Sequence, residues 1–136
     1  MKWAHSLIRL ANFEVEGLQK RLKAASDRCE AIEIVIDALD LEAQEEKLRV
    51  TADPESGWRF ALFLQAWRER RAKAESDLAV ARLEEQGARD ALAEAFAELK
   101  KVEHVADLAV QNKKKAAAKV ETAALDELAL RRAIGG

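Results

Sequence analysis

Apolar residues recur along the first third of this chain at alternating steps of three and four. Ile8, Ala11, Val15, Leu18, Leu22, Ala25, Cys29, Ile32, Ile36, Leu39 and Ala43 form an unbroken seam. A seven-residue repeat of this kind puts one apolar stripe on an α-helix, with Ile8, Val15, Leu22, Cys29 and Ile36 at heptad position a and Ala11, Leu18, Ala25, Ile32 and Leu39 at d. Past a single break the rhythm resumes at Ala74 and Leu78 and runs through Leu92, Leu99, Val102, Ala106 and Val120 to Leu130 and Ile134. The two seams predict an all-α chain: one long antiparallel coiled-coil hairpin, with the second helix longer than the first. A chain spent on two long helices has no layered core in which to build an enclosed reaction pocket.

The composition agrees. Of 136 residues, 35% are charged and 5% aromatic, with one Pro and no Tyr, the profile of long helices and coiled coils. The net charge of −2 gives the chain no global attraction to nucleic acid or anionic lipid. Cys29 is the single cysteine, so it has no intrachain disulfide partner and reads as a small seam hydrophobe in a reducing, cytosolic compartment. The first ten residues carry Lys2, His5 and Arg9 and lack the unbroken apolar run of a signal peptide.

The first helix is expected from about residue 3 to 50, the loop over 51–57 and the second helix from about 58 to 134. Pro54 lacks the N–H that a continuing helix needs and pushes Asp53 toward extended geometry. Antiparallel pairing about this break sets residue i near residue 108 − i, so Ile8 should lie near Leu99–Val102 and Ile36 near Ala72–Ala74. At ~1.5 Å per residue the helices would be roughly 70 Å and 115 Å long. About thirty residues of helix 2 then project past helix 1 with an apolar seam and no intramolecular cover, which implies another chain.

Two surfaces stand out. Four of the seven aromatic residues fall in the segment Trp58–Trp67. On a helix Phe60, Phe63, Leu64 and Trp67 share one stripe, whereas Trp58 and Leu62 lie on another flank, and one facing helix cannot cover both. The segment is either a hydrophobic plug closing the hairpin tip against Leu41, Leu48 and Val50 or a docking patch for a partner. The second surface is the projecting arm, where Lys113, Lys114, Lys115 and Lys119, then Arg131 and Arg132, alternate with Glu121, Asp126 and Glu127. Such a face is either simply solvated or meets an acidic partner. His5 and His104 have no neighbours at metal-ligand spacing, and no phosphate loop, nucleophile elbow or paired carboxylates occur. A non-enzyme without cofactor, metal, small-molecule substrate or nucleic acid is expected.

Three segments resemble the flagellar FliJ family: Trp3–Arg28 with Ser6-Leu7-Ile8-Arg9-Leu10, the opening Ser56-Gly57-Trp58-Arg59-Phe60 of helix 2, and Ala124-Leu125-Asp126-Glu127-Leu128-Ala129 followed by Arg131-Arg132. The resemblance covers nearly the whole chain. It implies a component of the flagellar type III protein export apparatus, cytoplasmic and peripherally associated with the inner membrane. Its partners would be the hexameric export ATPase, the membrane export gate and export chaperones, and the free chain is expected to be a monomer. By the resemblance, the end carrying both termini enters the ATPase ring as a stalk, and Lys113, Lys114, Lys119, Val120, Leu130, Arg131 and Arg132 of the projecting arm are the residues expected to meet it. The hairpin side reaches the gate through Phe60, Phe63, Leu64 and Trp67. The alternatives are the equivalent stalk of a virulence-type secretion system and a self-associating structural coiled coil.

Overall fold

The computed structural model describes residues 2–135. Helix α1 spans Lys2–Ala52, a single 3₁₀ turn spans Pro54–Ser56, and helix α2 spans Gly57–Gly135. No strand occurs among the described residues, and the fold is an all-α helical hairpin.

The reversal is shorter than the loop expected over 51–57. Asp53 alone lies outside helical structure, with φ −136° and ψ 89°. Its N–H donates to Arg49 O at 2.9 Å, and its own carbonyl accepts from Ser56 N at 3.1 Å and from Ser56 Oγ at 2.7 Å. Its carboxylate accepts from Glu55 N at 3.3 Å, capping the 3₁₀ turn that begins with Pro54. Gly57 is right-handed helical, with φ −58° and ψ −34°, so it opens α2 rather than ending the loop.

The chain divides into two units, residues 15–94 and residues 1–14 with 95–136. In the first, the seam is the core. Val15, Ala25, Cys29 and Leu39 of α1 are buried, as are Ala74, Leu78, Ala81 and Ala88 of α2. Cys29, Leu78 and Ala81 form a cluster against which Ile32 and Ile36 pack. Ion pairs flank it: Arg28 with Glu84, Glu33 with Arg82 at 3.5 Å, Asp40 with Arg71 at 2.8 Å, and Glu42 with Arg70 at 3.3 Å. Partner numbers on α2 fall as those on α1 rise, the order of antiparallel segments.

The register differs from the expected one. Ile36 packs against the cluster containing Leu78 and Ala81, a few residues further along α2 than the expected Ala72–Ala74.

The second unit has a core of small side chains: Ala4 and Ala11 of α1 with Ala95 and Ala106 of α2. Leu99, Val102 and Ala109 are half-buried. Alanine lets two helices approach closely but removes little apolar area from water, at ~0.8 kcal/mol per CH₂ buried. Cover from α1 extends to Ala109, again further than the expected end near His104–Val105. From residue 111 onward every described residue is exposed, so the uncovered arm is somewhat shorter than the thirty residues expected.

Candidate functional site: a half-plugged tip and an uncovered arm

At the tip, the two stripes separate as helical spacing requires. Phe60, Phe63, Leu64 and Trp67 are half-buried. The Phe60 and Phe63 rings stack with centroids 6.3 Å apart, and Trp67 Nε1 donates to Leu39 O at 2.7 Å, tying α2 to α1. An indole N–H that finds a backbone acceptor across the seam fixes its ring in place. The Arg71 guanidinium lies 5.8 Å from the Trp67 ring centroid and also binds Asp40 through Nε–Oδ1 at 2.8 Å and Nη2–Oδ2 at 3.3 Å. That two-pronged hydrogen bond holds the Asp40 carboxyl below the usual carboxylate range, against the opposing effect of partial burial. These four apolar residues are thus half covered within the hairpin. The flank remains open: Trp58 is 63% exposed and Leu62 61%, with Leu41 and Leu48 exposed on α1. The Arg59 guanidinium covers one face of Trp58 at 5.2 Å.

On the arm, Lys113, Lys114, Lys119, Val120, Leu130, Arg131 and Arg132 are all exposed. Val120 is 71%, Leu130 61% and Ile134 78% exposed, a large apolar content for unpartnered surface. The basic residues do not converge. Arg131 pairs with Glu127 of its own helix at 2.9 Å. Lys113 and Lys114 instead border an open groove of about 560 Å³ where α1 begins, with Ala4, Ile8, Ala106 and Val110 as its apolar wall.

A further exposed stripe escapes the seam reading. Trp3, Leu7 and Leu10 are spaced by four and three, and Phe13 follows on the adjoining face; all four are exposed. Their spacing was visible in the sequence, but a search for the seam selects the opposite side of the helix. Cys29 is 5% exposed. Burial, followed by the neighbouring Glu85 carboxylate, pushes its thiol pKa up, which disfavours the reactive thiolate.

Among the described residues there is no group of three or more His, Cys, Asp or Glu side chains able to hold a metal ion. No helix among them is long and apolar enough to cross a membrane. Fold and surface together define a two-helix all-α protein whose distinctive features are uncovered helix faces. Two curated relatives, both named Flagellar FliJ protein, come from Caulobacter vibrioides strains NA1000 / CB15N and ATCC 19089 / CIP 103742 / CB 15. Each is 45% identical over 136 residues, covering 99% of this chain and 98% of the relative. The chain belongs to the flagellar FliJ family. No family model matches it, and neither does any solved structure.

Proposed function

We propose that this chain is a non-enzymatic component of the flagellar type III export apparatus, a coiled-coil stalk that links the export ATPase ring to the membrane export gate. The observation that carries the reading is the abrupt end of seam cover. Every seam position of α2 from Ala74 to Ala109 is buried or half-buried, and every one from Lys113 to Ile134 is exposed. A helix that keeps its apolar stripe after its own partner ends is built to be completed by another protein.

On this reading Lys113, Lys114, Lys119, Arg131 and Arg132 make the polar contacts to the ATPase ring, and Val120 and Leu130 the apolar ones. The tip serves the gate. Trp58 and Leu62 present the open part of that surface, and Phe60, Phe63, Leu64 and Trp67 support it from beneath while remaining partly accessible. Aromatic side chains with little rotamer freedom to lose are favoured anchors for such contacts. Export chaperones are further partners, and the protein works in the cytoplasm, peripherally at the inner membrane. The flagellar system is favoured over a virulence-type one by the flagellar name and high identity of the relatives. Co-purification with the export ATPase tests the reading, followed by ATP hydrolysis with and without this chain. Stable association with raised turnover supports it; no association and unchanged turnover overturns it.

A further inference from the structure

We propose that in the free chain the uncovered arm pairs with the arm of a second copy of this chain, antiparallel, about a two-fold axis between Glu121 and Thr122. This goes beyond the stalk reading and replaces the expectation of a monomeric free chain.

The heptad frame places Lys113 and Glu127 at a positions, inside an otherwise apolar exposed seam, and Lys119 and Asp126 at the flanking g positions. Their order selects a geometry. In a parallel pair, a faces a, so Lys113 would meet its own copy and Glu127 its own copy within the seam. Like charges at these layers oppose that arrangement. In an antiparallel pair, a layers face d layers and g flanks face g flanks. One register sets Val120 against Ala123, Ala116 against Glu127, and Ala109 against Ile134. It also sets Lys119 opposite Asp126 twice, by symmetry. Lys113 then lies one layer from Glu127 of the other copy, within reach of its long side chain. A slip of one heptad in one direction brings Lys119 against Lys119, and in the other direction Asp126 against Asp126. Charge thus chooses one register among the three.

That register also matches the cover supplied by α1. Its overlap runs from Ala109 to Ile134, beginning where seam burial by α1 ends and using the exposed Val120, Leu130 and Ile134 of both copies. Ile134 of one copy would arrive beside Ala109 of the other, next to the groove walled by Ile8, Ala106 and Val110. With Ala at several layers the pairing is weak, so it responds to dilution and yields to any partner that engages the same seam.

Sedimentation of the unmodified full chain over about a hundredfold concentration range tests the pairing itself. A reversible monomer–dimer equilibrium is expected, and a single species of one-chain mass throughout overturns the proposal. Lys113→Glu and Glu127→Lys should each weaken the dimer roughly tenfold, and the two together should restore it. Unchanged helicity by circular dichroism confirms that these exposed substitutions leave the fold intact. Nitroxide labels then read direction, on Cys29→Ala chains carrying one new cysteine at Thr122 or Gln111, both exposed. Antiparallel pairing keeps Thr122 labels close and separates Gln111 labels by about 30 Å along the helix. Short distances at both positions, or a dimer indifferent to charge reversal, overturn the proposal.

Discussion

Replacing Leu78 by alanine is the sharpest probe of the core. Leu78 is buried against Cys29 and Ala81, with Ile32 and Ile36 packed on the same cluster. The substitution removes three carbon groups from a buried side chain, about 2.4 kcal/mol at ~0.8 kcal/mol per CH₂. Any cavity left behind adds to that. Two helices with solvent on both flanks close a gap more easily than a layered core does. An open groove already runs beside Ile36 and Leu78, so the total should be about 2–3 kcal/mol. Leu83→Ala is the control, because it removes the same atoms from an exposed face of the same helix; its effect should stay within about 0.5 kcal/mol. Urea unfolding followed by circular dichroism measures both. Equal losses in the two variants would refute the assignment of faces, and a loss below about 1 kcal/mol for Leu78→Ala would refute its place in the core.

Three further outcomes follow from the structure. Because Arg71 holds the Asp40 carboxyl below its ordinary range, the pair contributes stability that is full above the unfolded-state pKa of about 4 and is lost as pH falls through the lower folded value. Asp40→Asn should therefore flatten the acid limb of a melting-temperature profile, and an unchanged limb would show that the pair is not linked to folding. Cys29 should react slowly with maleimide in the folded chain and rapidly in urea, since the thiol is buried with its pKa raised; equal rates would contradict its place in the seam. Trp67→Ala should lower the melting temperature, because it removes both the hydrogen bond to Leu39 O and the ring beneath Arg71, whereas Trp58→Ala should leave it nearly unchanged.

The architecture was legible because helical geometry fixes the spacing of a buried stripe. All eleven α1 seam positions named from sequence, Ile8 to Ala43, are buried or half-buried. The split of the tip into two stripes was legible for the same reason, but their exposure was not. Whether Phe60 or Trp58 points inward depends on how α2 is rotated as it leaves the turn, which Trp67 settles through its hydrogen bond to Leu39 O. The register was hidden because it depends on a backbone detail: Asp53 confines the break to one residue and a 3₁₀ turn, through bonds to Arg49, Glu55 and Ser56. Propensities do not resolve where a helix stops to within that margin. The exposed stripe of Trp3, Leu7 and Leu10 shows the opposite failing, a spacing present in plain sight on the face that the seam search leaves aside.

If the arm and the tip serve different partners, separate changes at the two surfaces should separate the two functions. Deleting residues 118–136 takes away no described residue that α1 covers, and Trp58→Ala with Leu62→Ala trims only exposed tip surface. Each protein is assayed for stimulation of ATP hydrolysis by the export ATPase and for binding to the cytoplasmic part of the export gate. The truncated chain should lose stimulation and keep gate binding. The tip variant should keep stimulation and bind the gate roughly thirtyfold or more weakly, the loss of about 2 kcal/mol expected when an anchor is removed. Full stimulation by the truncated chain, or undiminished gate binding by the tip variant, would contradict that division.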